Sequence, residues 1–171
     1  VHKSPAATPP VDPTAVERFA REARTTAGIS HPHVVTVHDS GATDDLAYLV
    51  MEFLKGDTLG QRLKANGGRL ALPECVRISR QIAAALAAAH EKGVTHRDLK
   101  PDNIMLIADP DPEAPGRIRV KLLDFGIAKV AAELNQGAAQ TAADVVMGTP
   151  KYMAPEQCRG AGNVDDKADV Y

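Results

Sequence analysis

The sequence predicts an α+β fold, on three observations. Residues 73–92 carry Cys75, Ile78, Ile82, Leu86 and Ala89 at helical spacing, forming one apolar face. Residues 34–38 and 46–51 are β-branched or apolar runs joined by a turn with Gly41, Asp44 and Asp45, which reads as an antiparallel hairpin. Two further short strands are expected at 104–107 and 118–123, separated by an acidic, proline-rich link.

In chain order, residues 4–14 read as a loop, because their prolines remove backbone donors and fix φ. A helix is expected next. Asp12 or Thr14 caps it, Pro13 suits its first position, and Thr14 with Glu17 fits a capping box. Its stripe is Val16, Phe19, Ala20, Ala23 and Ala27, and Gly28 ends it. After the hairpin, a short helix is predicted from Leu59 to Asn66, stopping at Gly67-Gly68. The 73–92 helix has Pro73 in its first turn and closes at Lys92 and Gly93. Residues 130–146, rich in Ala, Gln and Thr, have weak periodicity and read as a loop.

Composition narrows the function classes. The 171 residues include 44% hydrophobic and 25% charged residues, ordinary for a globular domain. Aromatics are 4%, so the core must be built from Ala, Val, Leu and Ile. A net charge of −2 gives no support to a nucleic-acid or anionic-membrane partner. No apolar run approaches the ~18 residues of a transmembrane helix. Cys75 and Cys158 lie far apart, so a disulfide scaffold or zinc site is not expected, and a reducing, cytoplasmic location is the simplest reading.

Three ordered segments decide the functional reading. They are His96-Arg97-Asp98-Leu99-Lys100-Pro101-Asp102-Asn103, then Asp124-Phe125-Gly126, then Gly148-Thr149-Pro150-Lys151-Tyr152-Met153-Ala154-Pro155-Glu156. Together they resemble the signature of the protein kinase family, and within it the bacterial serine/threonine kinases of eukaryotic type. The resemblance implies a bilobal protein-kinase-like fold, with 1–52 as part of the small lobe and 53–171 as hinge and part of the large lobe. It also implies ATP and Mg²⁺ as cofactors and a protein substrate with a Ser or Thr acceptor.

Phosphoryl transfer depends mostly on positioning and charge neutralisation. It needs a carboxylate near the nucleophile and separate oxygen ligands for Mg²⁺, a hard cation. The resemblance assigns the first role to Asp98 and phosphate neutralisation to Lys100. It assigns the metal to Asn103 and Asp124. Thr149 would bond Asp98 and Lys100 and help place the acceptor. Met51 would be the gatekeeper, the backbone of Glu52 and Leu54 would meet the adenine edge, and Met105 would pack beneath the ring. Glu22 resembles the glutamate of the regulatory helix. Lys3 is its partner at a suitable spacing, with an ordinary solvated lysine as the alternative. His96 and Phe125 resemble packing residues of the family's core, and Gly126 permits an unusual backbone. The pair His31/His33 resembles the loop after the regulatory helix, not a metal site. Arg97 marks regulation by loop phosphorylation, with Thr141 as acceptor, in trans where autophosphorylation occurs. Glu156 resembles a structural glutamate that pairs with a later arginine. Asp169 resembles the aspartate that anchors the 96–98 loop from below.

The family's glycine-rich loop would precede Lys3, and the central large-lobe helix would continue past Asp169-Val170-Tyr171. The chain therefore reads as the middle of a kinase domain, truncated at both ends. Alone it is expected to be marginally stable, with exposed apolar patches and little or no activity. Two other readings differ in class: a non-catalytic pseudokinase-like interaction module, and a small-molecule kinase of the aminoglycoside type. Intact Asp98, Asn103 and Asp124 count against the first, and the 148–156 segment counts against the second.

Overall fold

Two small antiparallel sheets and a long helix arise from these periodicities, and they frame the loop that precedes Asn103. The computed structural model describes residues 23, 25–42, 47–109, 111, 117–125, 150–158 and 164–171. Strand β1 (Val37–Ala42) pairs with β2 (Ala47–Met51), Val37 opposite Met51 and Gly41 opposite Tyr48. β1 starts at Val37 rather than Val34 because the apolar run is split between two sheets. Val34 and Val35, 1% and 3% exposed, attach instead to a later strand. Val34 bridges Leu122 in parallel, and the Val35 N–H donates to the Leu122 carbonyl at 2.9 Å.

The second sheet has the order β3 (Gly56–Thr58), β4 (Ile104–Ala108), β5 (Ile118–Leu122), all antiparallel. The last two match the sequence expectation to within a residue; β3 does not appear in it. Three residues give no period to read, and Gly56 is there for contact. A Cβ on it would collide with the Leu106 carbonyl oxygen, so only glycine allows this approach. Thr58 ends β3 and caps α1 (Leu59–Ala65). Its side chain accepts from the Gln61 N–H at 3.1 Å, and Gln61 Oε1 accepts from the Thr58 N–H at 2.8 Å, a complete capping box.

The long helix α2 spans Leu72–His90, with Pro73 in its first turn. Ile78, Ala85, Leu86 and Ala89 are its buried residues, and Ile82 packs at their edge. Cys75 is exposed, contrary to the stripe read from sequence, since the buried face of the helix begins at Ile78. The helix closes in a Schellman motif. Gly93 takes φ +71, its N–H donates to the His90 carbonyl, and the Val94 N–H donates to that of Ala89.

Helix α2 also covers the free edge of β5. Gln81 Oε1 accepts from the Val120 N–H at 2.9 Å, and Gln81 Nε2 donates to the Ile118 carbonyl at 3.2 Å. At the hairpin mouth, Arg119 and Asp109 form an ion pair at 2.6 Å, and the Asp109 N–H donates to the Arg117 carbonyl. Upstream, residues 25–27 are helical and turn at Gly28. Ala23 is fully buried as expected, but Thr26 faces inward and Ala27 outward as the chain turns to bury Ile29. Val16, Phe19 and Ala20 lie outside the described residues.

The core joins α1, α2, β4 and β5 through Leu59, Ile78, Leu86, Leu106, Val120 and Leu122. It is aliphatic apart from Phe125, as the low aromatic content required. No helix among the described residues is long and apolar enough to cross a membrane.

Candidate active site

Helix α2 and strand β4 are joined by residues 91–103, and this loop holds His96, Arg97, Asp98, Lys100 and Asn103 of the predicted site. Its backbone is unusual. Arg97 has φ +64 and Asp124 has φ +53, the two non-glycine residues with positive φ among those described. Such a conformation costs on the order of 1–3 kcal/mol and persists only where neighbours enforce it.

Asp169 is the main enforcer. It ends a 3₁₀ turn (Asp166–Asp169) capped by Asp165 and is 5% exposed. Its Oδ2 accepts from the His96 N–H at 2.7 Å and from His90 Nε2 at 2.8 Å. Its Oδ1 accepts from the Arg97 N–H at 2.8 Å. One carboxylate thus gathers three donors from helix and loop.

His96 is fully buried, with its ring 4.7 Å from that of Phe125. Its Nε2 donates to the Leu123 carbonyl at 2.8 Å, and its Nδ1 accepts from the Asp98 N–H at 3.3 Å. Both ring nitrogens are committed, which fixes a neutral tautomer and a packing role. Burial lowers its pKa, against the pull of the Asp169 charge and the Leu123 carbonyl. A histidine held neutral in the fold is protonated first in the unfolded chain, at about 6.5. Its contribution to stability is therefore complete above that pH and lost as pH falls below it. The full-length protein should lose stability in thermal melts from about pH 7.5 to about pH 5, by up to about 1.4 kcal/mol per pH unit for this one proton. A flat melting temperature over that range contradicts the assignment.

Above this base stand the charged groups. Lys100 Nζ meets Asp98 Oδ2 at 2.6 Å. Asn103, 8% exposed, donates from Nδ2 to the Asp98 carbonyl at 2.9 Å and to Asp98 Oδ2 at 3.0 Å. This orients the amide, since its nitrogen faces Asp98 and its oxygen lies at the other end. The Asn103 carbonyl accepts from the Leu123 N–H at 2.9 Å, which sets Asp124 beside the loop. Burial pushes the Asp124 carboxyl up, the Asp98 charge adds to this, and Lys100 opposes it. A half-buried carboxylate of this kind, next to a second one, favours a cation. The Asp124 carboxylate and the Asn103 amide oxygen are hard donors of the type Mg²⁺ takes when phosphates and water complete its shell, and they are the groups here that could hold it.

Residues 52–55 lead from β2 to β3. The Glu52 N–H donates to the Thr36 carbonyl at 3.0 Å, so only its carbonyl is left to meet a ligand edge. Its side chain accepts from the Thr36 N–H at 2.8 Å and from Lys121 Nζ at 2.6 Å. Burial disfavours the Glu52 charge, but Lys121 and Thr36 outweigh it and hold the carboxyl below its usual range. Lys121 is 8% exposed and also donates to the Val34 carbonyl at 3.2 Å. Sequence reading missed this pair, which ties the 52–55 segment to β5. Met51 ends β2, and Leu54 and Met105 are half-buried. The half-buried Glu156 lies in the one-turn helix α3 (Pro155–Cys158). Lys3, Glu22, Gly126, Thr141 and Thr149 lie outside the described residues.

Comparisons with known proteins agree with this geometry. The family model described as protein kinase domain matches residues 7–171. The serine/threonine-protein kinase Pkn1 of Myxococcus xanthus is 46% identical over 93% of this chain and 21% of its own length. The serine/threonine-protein kinase PknA of Mycobacterium tuberculosis is 41% identical over 94% of this chain and 35% of its own. The crystal structure of the M. tuberculosis PknI kinase domain superposes with a TM-score of 0.69 at 30% identity, over 94% of this chain and 53% of that one. The chain thus spans about a fifth to a third of these curated relatives and about half of the solved kinase domain. With its three signature segments, its Asp98–Lys100–Asn103 cluster and these likenesses, the chain belongs to the protein kinase family, as part of a serine/threonine kinase catalytic domain.

Proposed function

We propose that the protein containing this chain transfers the γ-phosphoryl group of ATP to Ser or Thr hydroxyls of proteins. The observation that carries the reading is the Asp98 carboxylate, fixed by Lys100 at 2.6 Å and Asn103 at 3.0 Å on a loop anchored by Asp169. Asp98 orients the acceptor hydroxyl and takes its proton. The acceptor oxygen bonds to the γ-phosphorus as the bond to the β–γ bridging oxygen breaks, and ADP leaves. Lys100 screens the charge of the transferred group, and Thr149 helps place the acceptor. Asp124 and Asn103 would hold Mg²⁺, which supplies charge neutralisation on the phosphate oxygens when bound.

The adenine side is formed by Met51, the Glu52 carbonyl, Leu54 and Met105. Lys3, paired with Glu22, grips the α- and β-phosphates. Residues 1–52 belong to the small lobe, and 53–171 to the hinge and large lobe. Lys100 and the 148–152 segment favour Ser/Thr acceptors. Arg97 reads a phosphate on Thr141, added in trans. The reaction is cytoplasmic. The activity belongs to the whole kinase. In this chain Phe53 and Leu72 are 86% and 75% exposed, apolar surface that supports marginal stability and inactivity in isolation.

Calorimetric titration with ADP tests the site. The full-length protein should bind ADP more tightly with Mg²⁺ than without it. Asp124→Asn should weaken the Mg²⁺-dependent affinity by about tenfold or more. Equal Mg²⁺ dependence in both proteins counts against the assignment.

A further inference from the structure

The strained backbone at Arg97 is held from two sides, and the second holder comes from the distant helix α3. Asp169 takes the Arg97 N–H, and Gln157 Nε2 donates to the Arg97 carbonyl at 2.7 Å. Gln157 is itself oriented. Helix α3 has Ala154 at its N-cap and Pro155 at its first position, and the Ala154 N–H donates to Gln157 Oε1 at 3.0 Å. With the amide oxygen committed to that N–H, the nitrogen is the end that faces the Arg97 carbonyl. The link spans 60 positions and joins α3 to the peptide immediately before Asp98. Arg97 has φ +64, and these two bonds, one to the peptide before it and one to the peptide after it, hold that conformation.

We propose that Gln157 is a positioning residue for phosphoryl transfer: it locks the Arg97–Asp98 peptide to α3 and so sets the aim of the Asp98 carboxylate. This rests on the kinase reading of Asp98 given above. The chemistry distinguishes donor from bulk. In Gln157→Glu, one oxygen still accepts from the Ala154 N–H, but an ionised carboxylate cannot donate to the Arg97 carbonyl and repels it. A protonated carboxyl donates again.

The test uses steady-state kinetics of the full-length kinase with a protein acceptor, for Gln157→Glu, Gln157→Met and Asp98→Asn. Both Gln157 variants should lose on the order of 10- to 100-fold in kcat, the scale for a misaligned reacting group. The KM for ATP and the stoichiometry of ADP binding should be unchanged. The Gln157→Glu deficit should shrink relative to the parent as pH is lowered toward the carboxyl range, and that of Gln157→Met should not. Parental kcat in both variants, with Asp98→Asn inactive, overturns the proposal and leaves the kinase reading standing. A kcat loss matched by an equal loss of ADP-binding protein shows a merely structural role and also overturns it. An active Asp98→Asn overturns the kinase reading, and this proposal with it.

Discussion

Asp98→Asn is expected to lower kcat of the full-length kinase by about 10²- to 10⁴-fold, the range for removing a positioned general base. The substitution keeps the shape of the side chain and an oxygen for Lys100, so the ion pair at 2.6 Å becomes an ordinary hydrogen bond. It removes the ability to take a proton. The Asp98 side chain is 38% exposed, so the folded state is little affected by losing its charge. The KM for ATP should change far less than kcat, because none of the groups assigned to the adenine edge touches Asp98 and Asn103 keeps its bond to the Asp98 carbonyl. Kinetics combined with thermal melts check this. A variant with parental kcat removes Asp98 from the mechanism, and one that fails to fold removes the argument that its role is chemical.

Asp169→Ala should be the most damaging single change to the fold of the site. Its carboxylate is buried and accepts three hydrogen bonds, from His96, Arg97 and His90. Truncation leaves those donors without their acceptor. Losing one side of a buried charged network costs about 3–5 kcal/mol. That is a large share of the 5–15 kcal/mol that holds a typical domain together. Melting of the full-length protein should fall by about 10 °C or more, and kcat should fall as Arg97 leaves its left-handed conformation. A shift within about 1 °C shows that water or other donors replace the carboxylate, and the anchoring role is then wrong.

Much of this arrangement was legible in the sequence, for a local reason. Asp98, Lys100 and Asn103 lie within six positions, and their mutual contacts follow from one loop and one 3₁₀ turn. Helix α2 was legible from its period, and its end from Gly93, whose φ of +71 favours that residue. What escaped was set by tertiary docking. Gln81 and Gln157 each reach a distant backbone, 39 and 60 positions away, and a glutamine carries no sign of such a partner. Gln157 alone left a local trace, since Pro155 followed two residues later by glutamine suits the first turn of a helix. Lys121 sits between the buried Val120 and Leu122, and its burial becomes legible only once Glu52 is seen to face it at 2.6 Å. The 34–38 run misled by one strand start because both of its halves are apolar, while two different sheets claim them.

Protein phosphorylation by this kinase is tested most directly by following where the phosphate goes. The full-length protein would be incubated with Mg²⁺ and γ-labelled ATP, with a protein acceptor in one reaction and small alcohols in another, and the products hydrolysed and separated. Phosphoserine or phosphothreonine should form on the protein acceptor and be absent with Asp98→Asn. Labelled small alcohols in place of labelled protein, or no transfer from a folded, full-length protein, would contradict this assignment.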